Sequence, residues 1–226
     1  MKNLFISPIL STLLLASLAN FAIAKPIKAI KATVSEKNGA IFCTTADGVT
    51  HKVSTGNKDS QPELAPDGKT IVFVRQFKPN TDKSGVDTLN DGVDDIWLTQ
   101  CQEAPKETLL IHGRNVPGSP AVREPTFSND SKTVYFSSPT WVYYGAIFMI
   151  DIASKKVENI HTGNHPTVIR TGKYAGNITV YRSEHITKEE PNAPGEFYSY
   201  YEMQKWMLSP TGKFLKTLPC KKECER

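Results

Sequence analysis

The sequence predicts an all-β fold made of repeated four-stranded antiparallel units, and three observations predict it. Residues 60–75 (SQPELAPDGKTIVFVR) and 123–138 (REPTFSNDSKTVYFSS) align without a gap, matching Pro62 with Pro125, Asp67 with Asp130 and Phe73 with Phe136. A degraded third copy at 165–182 places Pro166 like the other two prolines. The apolar runs between turn signals are short and β-branched, which suits strands. No amphipathic helical pattern of useful length interrupts them. The prolines are 63 and then 41 residues apart. The longer spacing holds a polar insertion around 78–94, so the underlying period is about 40–45 residues, the size of a four-stranded propeller blade.

Within each repeat the elements follow from local chemistry. After the proline comes a turn, Pro66-Asp67-Gly68-Lys69 or Asn129-Asp130-Ser131-Lys132, whose Asx and Gly residues have a physical reason to turn. A strand follows at Thr70–Val74 or Thr133–Ser137, and another at Asp95–Leu98 or Ala146–Ile150. A last stretch, Thr108–Ile111 or Lys156–His161, leads past Gly113 or Gly163 to the next proline. Gly39–Thr45 and Val49–Ser54 read as the outer strands of a leading blade, and Phe197–Leu208 and Lys213–Leu218 as the outer pair of the last. Residues Ile27 to Val34 offer one further strand. The expectation is about four blades with the first incomplete, either closing as a small ring or staying open.

The pattern Pro-x-φ-Ala-Pro-Asp-Gly-Lys-x-Ile-x-Phe followed by Asp95-Ile96-Trp97 resembles the blade signature of TolB-like β-propellers. Residues 60–75 with 95–98 match it well, and residues 123–151 less so, with Asn129 and Ser131 in place of Pro and Gly. The resemblance covers roughly residues 38–218 and implies the fold far more than a function.

Residues 1–24 read as a signal peptide: Lys2, an apolar run from Ile9 to Leu18, and Ala22-Ile23-Ala24 before a mature domain at 25–226. That run is too short for a good membrane span, and no other apolar stretch approaches 18 residues. The expected location is the periplasm or the exterior. With 39% hydrophobic residues the chain can bury a core, and a net charge of +4 is too balanced for bulk reading of nucleic-acid phosphates.

Export makes Cys43, Cys101, Cys220 and Cys224 readable as two disulfides. Three pairings are open. A bridge from Cys43 to the tail would tie the two ends of a ring together. The alternative is a local Cys220–Cys224 clip with Cys43 and Cys101 left to each other or free. Zinc would want a second close ligand pair, which Cys43 and Cys101 lack.

Residues 87–95 (DTLNDGVDD) resemble a short calcium loop, but Leu89 stands where an oxygen is needed. The plain alternative is a solvated insertion. His112 and His161 fall at matching repeat positions and read as structural. The chain has no Gly-x-Ser-x-Gly elbow, no His-Glu-x-x-His and no phosphate loop.

Loop length by position is the remaining signal. First-to-second and third-to-fourth strand connections share one end of a blade, and the other connections share the opposite end. The first kind are short, whereas residues 77–94, 114–122, 138–145 and 183–196 elaborate the second end. Binding surfaces are commonly built on such loops. Trp141, Tyr143 and Tyr144 in that set are the candidate anchors. The run Phe197 to Tyr201 reads as a strand rather than a site. The expected function is an exported, non-enzymatic module binding a protein or cell-envelope component, with a homodimer expected if the ring is incomplete. The alternative is a propeller hydrolase or lyase acting on an extracytoplasmic polymer.

Overall fold

The computed structural model describes residues 31–77, 93–118, 121–139 and 145–220. Residues 1–30, which include the expected signal peptide, most of the 78–94 insertion, Trp141, Tyr143, Tyr144 and Cys224 therefore lie outside the described residues.

Four antiparallel sheets succeed one another along the chain. The first contains β1 (Thr33–Lys37), β2 (Ala40–Thr44) and β3 (Thr50–Lys52). The second contains β4 (Asp59–Leu64), β5 (Thr70–Phe77), β6 (Val93–Gln100) and β7 (Thr108–Ile111). The third contains β8 (Arg123–Phe127), β9 (Thr133–Ser138), β10 (Ala146–Asp151) and β11 (Val157–Thr162). The fourth contains β12 (Asn164–Val168), β13 (Ile178–Glu189), β14 (Phe197–Leu208) and β15 (Phe214–Leu218). Three are complete up-and-down blades in chain order. In the first sheet, β1 packs on β4 much as β5 packs on β8 and β9 on β12. It thus holds the second position, and the innermost position has no described strand.

The turns work as their residues require. Asp67 accepts the Lys69 and Thr70 N–H groups at 2.7 and 2.9 Å, and its second oxygen takes the Thr70 hydroxyl. Gly68 supplies the left-handed residue with φ 72°, and Ser131 adopts the same region (φ 61°) in the imperfect copy. The weaker match there is a substitution within one turn geometry.

Three apolar cores lie between successive sheets. Ile41, Cys43, Val53, Ile71 and Phe73 join the first to the second. Val72, Ile96, Phe127, Val134, Phe136 and Phe148 join the second to the third. Tyr135, Ile147, Ile178, Val180 and Leu208 join the third to the fourth. No comparable packing joins the first and fourth sheets among the described residues. The described sheets form an open arc.

The cysteines correct one expectation. Cys43 is bonded to Cys101, with Cα atoms 5.5 Å apart, so the bridge fastens the first sheet to the second. Cys220 is also disulfide-bonded. A ring-closing bridge from Cys43 to the tail is excluded, because Cys43 sits in the first core facing Cys101 and has no path to the last blade.

Candidate functional site

Three features outside the cores carry polar or exposed chemistry. The first lies on the innermost strands. Gln61, Glu124 and His165 each precede a repeat proline, each has positive φ (53°, 56° and 53°), and each sits in a register break. A residue before proline is ordinarily extended, so all three blades store the same local strain. The side chains offset it by linking neighbours. Gln61 Oε1 accepts the Glu124 N–H at 2.6 Å, and Glu124 Oε2 accepts the His165 N–H at 3.0 Å. Glu124 is also ion-paired with His165 Nδ1 and accepts the Ser137 hydroxyl at 2.9 Å. Below them Arg170 reaches across the third sheet to Glu63 and donates to the Phe127 carbonyl at 2.7 Å.

Ser137, Glu124 and His165 bring together the residue types of a hydrolytic triad in the wrong order. The hydroxyl bonds the carboxylate, and a nucleophile needs the imidazole as its base. The trio is a strut between blades. The aligned prolines were visible in the sequence, and the long polar residue before each was the signal left unread.

The second feature holds the connection between the first two sheets. Arg75 makes a two-point contact with Asp59 (2.6 and 2.9 Å) and another with Glu107 (2.8 and 3.1 Å). Its guanidinium lies 4.7 Å from the Trp97 ring centroid. Glu107 also accepts the Thr55 N–H and hydroxyl. Burial pushes the Glu107 carboxyl up, but the Arg75 and Thr55 hydrogen bonds outweigh it and hold the group below its ordinary range. The Asp59 side chain is wholly buried. Gly56 is required beside it, since a Cβ there would meet an Asp59 oxygen at 2.3 Å.

Asp95, at the end of the candidate calcium segment, is likewise committed to structure. One oxygen accepts the Gly113 N–H and the other contacts His112 Nδ1, both at 3.0 Å. That pairing accounts for His112 as a structural residue. Asp94 is held above the usual carboxylate range by burial, with Arg123 opposing and Asp95 adding to it. Residues 87–92, the rest of that segment, lie outside the described residues. His161 differs from His112: its ring stands edge-on to Trp206.

The third feature corrects the loop assignment at 183–196. Half of that span is strand: residues 183–189 continue β13, and only 190–196 form the connection to β14. β13 and β14 pair over twelve residues, from Ile178 with Leu208 to Glu189 with Phe197. Their neighbours stop far earlier: β12 pairs with β13 only up to Tyr181, and β15 pairs with β14 only from Lys205 to Leu208. The remainder is a two-stranded ribbon that overhangs the sheet by about 20 Å at strand rise. Its tip is closed by the Glu190 N–H donating to the Glu196 carbonyl at 2.8 Å and by Glu189 accepting the Gly195 N–H.

Directly paired residues share a face. His185 pairs with Tyr201 and Glu189 with Phe197 on one face, while Ile186 pairs with Tyr200 and Lys188 with Tyr198 on the other. Phe197 is 68% exposed and Tyr201 61%. The Tyr198 and Tyr200 rings stack at 5.9 Å, and His185 lies 5.2 Å from Tyr201. Among the described residues, every exposed large hydrophobic side chain except Val49 belongs to this last blade. Phe197–Tyr201 forms the strand expected from its sequence. It is strand and exposed aromatic surface together.

The ribbon connects the second and third strands of its blade, as residues 78–92 and 139–145 do in theirs. The second-to-third connections leave from one end of an up-and-down blade, so the ribbon belongs to the elaborated end.

No family model and no curated protein matches the chain. Among solved structures it is similar to TolB from Acinetobacter baumannii, with a TM-score of 0.51 and 15% identity, over 84% of this chain and 41% of that one. The chain thus spans less than half the length of that TolB. The β-propeller domain of the Trilobed protease from Pyrococcus furiosus is similar at a TM-score of 0.47 and 15% identity, covering 80% of this chain and 48% of that one. A putative TolB from Agrobacterium tumefaciens is similar at 0.41 and 16% identity, covering 83% and 76%.

Proposed function

We propose that this chain, which has the TolB-like β-propeller fold, is an exported, non-catalytic binding module that engages a protein or cell-envelope component through its elaborated end. One observation carries the reading: that end bears a twelve-residue hairpin whose outer half exposes Phe197, Tyr198 and Tyr201. A two-stranded ribbon without a third strand is marginal in water. Exposed tyrosines on such an element are costly surface unless a partner covers them, and tyrosine is enriched among residues that dominate binding energy. Trp141, Tyr143 and Tyr144 belong to the corresponding connection of the third blade and join the same proposal. Two disulfide-bonded segments in a small chain fit an oxidising compartment. The polar groups on the inner strands favour binding over chemistry, because their oxygens are spent on neighbouring blades.

The test is affinity capture from cell-envelope extract with the full chain and with the double variant Phe197→Ala/Tyr201→Ala. Capture should weaken by more than about 1 kcal/mol, with the thermal melt nearly unchanged. Undiminished capture would overturn the assignment of the hairpin as the binding element.

A further inference from the structure

Resting on that reading of the hairpin, we infer that its partner is a basic polypeptide segment, which adds as an extended strand along the open edge of β13 from Ser183 to Glu189. The first ground is the edge itself. No strand pairs with the outer side of β13 beyond Tyr181 among the described residues. Natural sheets blunt such an edge with proline, a bulge, shortness or charged side chains, lysine above all. Residues 183–189 hold no proline and one lysine, Lys188, and their pairing with β14 runs without a register shift. What remains is a seven-residue row of alternating donors and acceptors, the form to which a peptide strand adds.

The second ground is charge. Residues 183–204 contain five glutamates against Lys188, a net of −4 with His185 neutral, in a chain of net +4. Glu184 and Glu202 are direct cross-strand partners. Like charges so placed disfavour pairing; Arg182 is ion-paired with Glu184, and a further cation laid along the ribbon would neutralise the acids that remain. The acids also discriminate between occupants. Edge-to-edge pairing of two copies through this ribbon would bring ten glutamates together, counted from the five in each. Anionic lipid, nucleic acid and acidic polysaccharide are repelled in the same way. An extended segment alternating basic and apolar residues fits this edge: its backbone meets β13, its cations lie on the face of Glu184 and Glu202, and its apolar side chains lie on the opposite face, that of His185, Tyr201 and Phe197.

The experiment adds a ten-residue peptide alternating lysine and valine to the isotope-labelled full chain and follows backbone amide exchange residue by residue. A peptide with glutamate in place of lysine and vesicles of anionic lipid serve as the other probes. The expected result is slowed exchange at residues 183–189 with the lysine peptide alone, weakened by added salt. The variant Glu202→Gln removes one of two facing acids while keeping the Arg182–Glu184 ion pair, so its fold should be at least as stable while its affinity for the lysine peptide falls about threefold. Protection by the acidic peptide or the vesicles, or lysine-peptide binding that leaves the β13 amides unprotected, would overturn the inference. If capture still depends on Phe197 and Tyr201 while β13 stays unprotected, only the added strand is wrong. If capture ignores those two residues, the earlier reading falls and this inference with it.

Discussion

The two ends of the arc are built to opposite specifications. At the first end a small three-stranded sheet is fastened to its neighbour by a disulfide and an apolar core, and the Arg75 cluster of the second sheet holds Thr55 in the connection between them. On its outward face Ser35 and Lys52 flank a half-buried Phe42. At the last end a full blade rests on the third sheet at Val180, Trp206 and Leu208, and then runs on as an exposed aromatic ribbon. The contrast teaches where stability and recognition are separated in this fold. Side chains at the first end spend their hydrogen bonds and apolar area on the chain itself. Those at the outer half of the last hairpin contact one another across the ribbon yet leave much aromatic surface exposed, Phe197 and Tyr201 above all.

That separation can be broken most forcefully at Arg75. Arg75→Met leaves the fully buried Asp59 carboxylate without its cation, a loss of about 3–5 kcal/mol by the rule for half-removed buried pairs. Chemical denaturation measures it, and peptide binding at the distant ribbon should persist under folding conditions. A loss below about 1 kcal/mol would mean that the cluster holds little together. Removing the bridge by Cys43→Ala/Cys101→Ala should cost roughly 2–4 kcal/mol, chiefly by freeing the unfolded chain, again without moving affinity at the last blade. Equal damage to binding would show that the two ends are mechanically coupled.

Acid supplies a milder test. Glu107 has a folded pKa below its ordinary value of 4.5, so its contribution is fully present above that value and is lost as pH falls through the depressed one. The melting temperature should therefore drop on acidification below the ordinary glutamate range. In Glu107→Gln that part of the drop should be absent. An identical acid profile in the variant would mean the carboxylate gains nothing from Arg75 and Thr55 on folding.

Much of the arc is legible in the residues. The Pro-Asp-Gly-Lys turn, the β-branched runs after it and the aligned prolines determine three blades and most strand positions within a few residues. The overhanging ribbon is not, for a physical reason. Ser183 to Glu189 alternates between two exposed faces, neither of them apolar, so it lacks the period-two signal of a half-buried strand. It becomes a strand because Phe197 to Met203 lies opposite in register. The cysteine pairing was hidden for a similar reason: 58 residues separate Cys43 from Cys101, and only the stacking of the first two sheets brings their Cα atoms together. The proposed anchors Trp141, Tyr143 and Tyr144 lie outside the described residues, so the candidate site that the structure does present, the ribbon, was found from exposure and register.

The most direct measurement of the central claim is native-state amide exchange on the full chain, alone and with its captured envelope partner. The account predicts slow exchange in β2 and β5 in both states, and fast exchange at Ser183–Glu189 in the free chain that slows when the partner is bound. Protection of β13 that is already high without a partner, or unchanged with one, would contradict it.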